Sequence, residues 1–198
     1  MQPQLLGSAA LRLFVALDLS APLRDELALL RGSLPNVQWI PKDNYHLTLR
    51  FIGEVTSRAE QEEIDLALGQ LSWAPFELSL LGAGLREHTK TDTLIIHIEQ
   101  NDALTALQSQ IEKLLRRAGC DTLKKRFHPH IALGHISSTR REESARWVQA
   151  HNLFRSTPMS VQHVTLFESL KGFDQRTYVH QAEYAWHPNM TLVPGEEL

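Results

Sequence analysis

Histidine is the side chain whose ordinary pKa, about 6.5, lets one copy stay neutral while another is protonated near neutral pH. The chain has ten. Two of them open short apolar segments of one design. The first reads His46-Leu47-Thr48-Leu49-Arg50-Phe51, the second His130-Ile131-Ala132-Leu133-Gly134. Side chains of an extended strand alternate between its two faces. Strict alternation sends Leu47, Leu49 and Phe51 toward a core and leaves His46, Thr48 and Arg50 on the opposite face. In the second segment Ile131 and Leu133 point inward, and His130 and Ala132 outward. Two imidazoles facing one cleft can serve as general base and general acid on opposite sides of a phosphorus. The Thr48 hydroxyl, on the same face, can donate to a non-bridging phosphate oxygen. Such an in-line displacement needs no metal and no covalent intermediate. A lone histidine beside a threonine is more often a packing residue. Two strands of the same design strengthen the chemical reading.

The elements that must position these strands alternate along the chain. Residues 11–19 (LRLFVALDL) form an apolar strand, and Pro22 starts a helix that runs to about residue 32. After a turn-rich stretch, residues 46–52 are the first histidine strand, ended by Gly53. A helix is expected over 57–71 and strands over 76–81 and 93–99, with Gly82 and Gly84 punctuating the link between them. Leu104, Leu107, Ile111, Leu114 and Leu115 give residues 102–119 helical periodicity, stopped at Gly119. Residues 127–136 are the second histidine strand. A short helix over 141–151 and strands over 161–170 and 177–186, joined by a Lys171-Gly172 turn, complete the pattern. Several strands are adjacent in sequence. That mixture predicts an α+β fold with mainly antiparallel sheets, not a doubly wound parallel sheet. Residues 1–10 read as a flexible leader and 189–198 as a tail around one domain over 11–188.

Composition narrows the setting. The 198 residues are 42% hydrophobic and 22% charged, enough apolar content for a sizeable core. The formal net charge of -3 excludes a globally basic nucleic-acid coat but not a local basic cleft. One cysteine, Cys120, excludes an internal disulfide framework and suits a reducing compartment. No segment has the form of a signal peptide or approaches the ~20 apolar residues of a bilayer span. A cytoplasmic, monomeric protein with no membrane contact is expected.

The first segment, extended through Ile52-Gly53-Glu54-Val55, resembles the first signature of the bacterial and archaeal RNA 2',3'-cyclic phosphodiesterases. These are the 2'-5' RNA ligase-like family of the two-histidine phosphoesterase superfamily. Phe127-His128-Pro129-His130-Ile131-Ala132-Leu133 resembles the second signature, and Arg12-Leu13-Phe14-Val15-Ala16-Leu17-Asp18-Leu19 that family's opening strand. The order of elements fits from about residue 11 to 186. The resemblance implies a bilobal fold of two pseudo-symmetric lobes, each giving a histidine strand to a central groove. It implies hydrolysis of a terminal 2',3'-cyclic phosphate to a 2'-phosphate, with joining of a 2'-5' linkage in some members. His46 and Thr48 match the first motif and His130 the second. His46 is assigned as acid to the leaving 3'-oxygen and His130 as base for the water. The implied substrates are RNA ends, tRNA fragments among them, or small cyclic nucleotides, with no cofactor. Two positions depart from the family pattern. Ala132 stands where Thr or Ser is usual, so one phosphate donor is missing. His135 stands where Arg is frequent, and it lacks Arg's bidentate fork.

Several neighbours are further candidates. Arg50 shares the expected face of His46 and Thr48, which makes it a phosphate ligand or, otherwise, a surface ion pair. Lys124-Lys125-Arg126 can meet RNA phosphates, with Phe127 or Tyr45 stacking a base; the plainer reading is a solvated loop and core aromatics. His128, His130 and His135 invite a metal, but zinc wants three or four converging ligands, commonly with Cys or a carboxylate. No metal is expected, and His128 is read as structural, orienting its strand. Neither a P-loop nor Gly-x-Gly-x-x-Gly occurs, so no nucleotide cofactor is indicated. The rival reading takes Ala132 and His135 as marks of a weakened site that binds RNA ends or 2'-phosphates without turnover.

Overall fold

Leu13–Leu17 is buried on both faces, which an apolar run without alternation requires, and the strand lies inside a sheet. In the computed structural model, which describes residues 10–32, 34–121, 126–172 and 176–186, this strand is β1 (Leu11–Asp18). The expectations for most of the leader, for the tail and for Lys124 and Lys125 lie outside the described residues. The other strands are β2 (Gln38–Trp39), β3 (His46–Val55), β4 (Phe76–Leu78), β5 (Leu80–Arg86), β6 (Thr91–Ile98), β7 (His130–Ser137), β8 (Met159–Val161), β9 (His163–Lys171) and β10 (Arg176–Ala185). The helices are α1 (Ala21–Leu29), α2 (Arg58–Leu68), α3 (Asp102–Arg117) and α4 (Arg141–His151).

One sheet runs β10-β9-β1-β3-β7-β6-β5, with β2 added on β7, while β4 and β8 form a separate pair. Every pairing is antiparallel. The α+β, mainly antiparallel expectation holds. Helices cover the core face of each half. The α3 stripe Leu104, Leu107, Ile111, Leu114 and Leu115 is buried against β3, and α4 packs on β5. Side-chain caps fix two helix starts: Asn101 accepts from the Leu104 amide at 2.9 Å, and Ser57 accepts from that of Glu60 at 3.1 Å. Trp147 of α4 donates to the Leu30 carbonyl at 2.8 Å, which ties the last helix to the end of the first.

The two halves meet at a narrow seam. β3 touches β7 at one pair, Leu47 opposite Ile131. β2 takes the rest of that β7 edge, pairing Gln38 with His135 and Trp39 with Gly134. Gly134 is required there, because a Cβ would sit 2.7 Å from Val37 Cγ1 and 2.9 Å from Trp39 Cε3.

Each histidine strand carries a bulge at the same place. In β3, Thr48 faces Ala16 and Arg50 faces Val15, so Leu49 has no partner. In β7, Ala132 faces Ile95 and Gly134 faces Leu94, so Leu133 has none. Both extra residues lie three positions after the histidine. A bulge shifts the alternation by one residue and bends the strand. This shared irregularity is the local signature of the pseudo-symmetry between the halves. Two strand limits also differ from the sequence reading. Gly53, with φ 106°, does not end β3 but sits at a second irregularity, and the strand continues to Val55. Gly82 and Gly84 lie within β5, not between strands.

Candidate active site

The sheet has two sides. Leu13, Val15, Leu17, Leu47, Leu94, Ile96, Ile131, Val164 and Leu166 belong to the main core. On the opposite side, Phe14, Ala16 and Phe167 form a small aromatic floor that Tyr178 packs against. His46 stands on this floor, with its ring 5.0 Å from Phe14 and 5.0 Å edge-on from Tyr178. Aromatic walls hold the imidazole and strip water from it.

The two histidines are anchored alike. His46 Nδ1 lies 2.8 Å from the Asn44 carbonyl, and His130 Nδ1 lies 2.7 Å from that of His128. A carbonyl can only accept, so each Nδ1 carries the proton and donates it two residues back. Each Nε2 is then left for chemistry. Pairing of Leu47 with Ile131, extended by one residue each way, sets Thr48 beside His130 and Ala132 beside His46. The two imidazoles are therefore diagonal across the seam, a spacing of about 7–8 Å between Cα positions.

Electrostatics act on both rings. Burial pulls the His46 pKa below 6.5, partly offset by the Asn44 carbonyl and by Asp18, and protonated His130 would lower it further. Burial likewise lowers the pKa of His130, offset by the His128 carbonyl, with Arg86, His97 and His128 adding positive charge. The site is thus asymmetric: a carboxylate acts on His46 and a guanidinium on His130.

Other expected residues are placed as follows. Thr48 Oγ1 lies 3.0 Å from His46 Nε2, on the groove side. Ala132 is half-buried on β7, with no hydroxyl to offer. His135 is returned to the groove side by the Leu133 bulge. Its Nδ1 lies 3.3 Å from Thr93 Oγ1, and burial lowers its pKa. It lines a cleft with Gln38, Trp39, Ile40, Pro41, Asn44 and Tyr178 at one end of the site. Arg126 is exposed, while Phe127 is half-buried against the main core.

Three expectations are corrected. Arg50 does not share the face of His46 and Thr48, because the Leu49 bulge reverses the alternation. It is 3% exposed, pairs with Glu112 of α3, and donates to the carbonyls of Phe51 and Asp121. Phe51, expected in the core, is 57% exposed, with its ring 5.7 Å from Phe14 on the groove side. Tyr45 cannot stack a base, since it is fully buried. Arg31 Nε donates to its hydroxyl at 3.0 Å, and the guanidinium lies 5.5 Å from the ring centre. Among the described residues no group of three or more His, Cys, Asp or Glu is placed to hold a metal ion.

Four residues at the site escaped sequence reasoning: Phe14, Asp18, Tyr178 and Arg86. The first two sit in an opening strand whose apolar run gave no phase. Tyr178 is on a strand with little apolar content to set a face. Arg86 follows two glycines that resembled a turn.

Two lobes that each present an Nδ1-anchored histidine to one groove define the two-histidine phosphoesterase fold. The chain belongs to the 2'-5' RNA ligase superfamily, whose model matches residues 20–173. It is 32% identical over 126 residues to an RNA 2',3'-cyclic phosphodiesterase of Escherichia coli, covering 62% of this chain and 70% of that protein. A protein of the same name from Aeropyrum pernix is 30% identical over 122 residues, covering 61% and 67%. The crystal structure of E. coli LigT complexed with 3'-AMP superposes with a TM-score of 0.75 at 25% identity. That alignment covers 91% of this chain and all of that one.

Proposed function

We propose that the protein hydrolyses the terminal 2',3'-cyclic phosphate of RNA to a 2'-phosphate by general acid–base catalysis. The observation that carries this reading is the matched pair of histidines, each with its Nδ1 proton committed to a carbonyl and its Nε2 beside a side-chain donor, Thr48 Oγ1 for His46 and Arg86 Nη1 for His130. Relatives named for this reaction and the shared family support it. In the proposed step, His130 Nε2 takes a proton from water as its oxygen attacks phosphorus. The P–O3' bond opposite breaks, and protonated His46 delivers its Nε2 proton to O3'. The charges fit these roles: Arg86 disfavours a proton on His130, and Asp18 favours one on His46. Thr48 donates to a non-bridging oxygen. The cleft beside His135 and Tyr178 gives the terminal nucleoside a place to lie. A 5'-hydroxyl in place of water would form a 2'-5' linkage through the same groups.

One chain carries both histidines, so the reading needs no second subunit. No helix among the described residues is long and apolar enough to cross a membrane. With its single, free cysteine, the chain suits a cytoplasmic setting. The binding-only alternative rests on one observation, the methyl group of Ala132 where a second hydroxyl would serve.

The rate against pH tests the acid–base assignment. One histidine must be neutral and one protonated, so kcat/KM follows a bell, rising as His130 loses its proton and falling as His46 loses its own. Both groups titrate below 6.5, so the maximum is expected on the acid side of neutrality. A flat profile would reject two-histidine catalysis. Separately, Thr48→Ala removes one phosphate donor and is expected to lower kcat about 10²-fold. An unchanged kcat would remove Thr48 from the site.

A further inference from the structure

Each catalytic Nε2 has one donor beside it, and the two donors differ. For His46 it is the hydroxyl of Thr48 at 3.0 Å. For His130 it is Nη1 of Arg86 at 3.3 Å. Arg86 is the last residue of β5, two strands away from β7 in the sheet. In register, Arg86 lies beside Thr93 of β6, and Thr93 lies beside His135 of β7. The guanidinium therefore starts in the row of His135 and reaches back to His130. Arg86 is exposed, and it forms no ion pair with a carboxylate among the described residues. A cation held against the proposed base without a counter-charge is arranged for an anion, because a fixed guanidinium binds phosphate through two parallel N–H groups.

Resting on the proposed cyclic-phosphate chemistry, we propose that Arg86 supplies the phosphate-binding donor of the second lobe, replacing from β5 the hydroxyl that Ala132 lacks. It binds a non-bridging oxygen of the reacting phosphate on the side opposite Thr48. Its charge also holds His130 in the neutral form that a base requires. The other groups acting on His130 are His97 of β6, His128 before β7 and, across the seam, His46. All are imidazoles, and Arg86 is the one guanidinium among them, a permanent cation by its chemistry. The site thus has one neutral and one cationic donor, which makes its two lobes chemically unequal.

The test compares wild type with Arg86→Gln, Arg86→Lys, Ala132→Thr and the Arg86→Gln/Ala132→Thr pair. Two readouts are used: kcat/KM on a short RNA ending in a 2',3'-cyclic phosphate, and binding of adenosine 2'-phosphate, which needs no turnover. Arg86→Gln is expected to lower kcat/KM about 10²-fold, as for loss of one transition-state donor. It is also expected to move the acid limb of the pH profile to higher pH, since His130 then protonates more readily. Lysine keeps the charge without the fork and should recover part of the loss. Ala132→Thr should change wild type little but raise Arg86→Gln about tenfold or more, the non-additivity of two groups serving one oxygen. Equal effects of Ala132→Thr in both backgrounds would overturn the replacement. So would Arg86→Gln that leaves turnover, acid limb and adenosine 2'-phosphate binding within twofold of wild type. If wild type itself does not turn over, the hydrolytic reading fails, and binding decides separately: tenfold weaker binding by Arg86→Gln upholds the donor role, and unchanged binding ends it.

Discussion

His46→Ala and His130→Ala are each expected to reduce kcat on a cyclic-phosphate substrate by about 10³–10⁴-fold, near the upper end of what one general acid or base contributes. The two substitutions act on one proton relay. Removing the acid leaves the 3'-oxygen to depart unprotonated, and removing the base leaves water to attack unassisted. Once either is gone the other has little left to promote, so the double variant should be scarcely slower than the worse single one. Independent, multiplying losses would mean that the histidines do not share a step. The surroundings should survive. His130 is held through Nδ1 to a carbonyl of exposed chain, so its loss should leave circular dichroism and the unfolding midpoint almost unchanged, while His46→Ala, which opens a gap against Phe14 and Tyr178, should keep the native circular dichroism with a modestly lower midpoint. A loss of rate that tracked a loss of folded protein would assign the histidines a structural role instead.

Arg50→Met is expected to have the opposite character, a stability loss of about 3 kcal/mol with chemistry preserved in the folded protein. The buried guanidinium is bonded to the Glu112 carboxylate and to the carbonyls of Phe51 and Asp121. Methionine fills much of the volume but leaves all three acceptors without this partner. Glu112 keeps some solvent access, its side chain being 23% exposed, which limits the penalty. Urea denaturation should show a lower midpoint with an unchanged slope, and kcat on the folded fraction within about threefold of wild type. A large fall in kcat with unchanged stability would return Arg50 to the phosphate site, as strict strand alternation suggests.

That contrast shows what the sequence made legible. The two histidine strands, the helix stripe from Leu104 to Leu115 and the antiparallel, mixed architecture all follow from local periodicity. Periodicity reports which residues avoid water. It does not report a bulge, because Leu49 and Leu133 are apolar and sit in the core whether or not they have a partner across the ladder. The side chains that follow each bulge directly, Arg50 and Phe51 on the first strand and His135 and Ile136 on the second, then take the face opposite to the expected one. Arg50 went into the core and Phe51 came out of it for this single reason. Tyr45 follows the plainer of its two readings, a core aromatic, and its burial depends on Arg31, fourteen residues earlier, arriving to satisfy its hydroxyl. Arg86 needed the sheet order itself, because nothing near it in sequence places β5 within reach of β7. The site was readable where chemistry and alternation coincide on one strand, and unreadable where a neighbour in space completes it.

The most direct test of the central claim is product analysis of a short RNA ending in a 2',3'-cyclic phosphate, incubated with the protein and EDTA. The account predicts turnover to a terminal 2'-phosphate, with the 3'-oxygen released as a hydroxyl. A 3'-phosphate product would mean that the wrong bond breaks, and no turnover with the RNA end still bound would contradict the catalytic reading and leave a binding protein in its place.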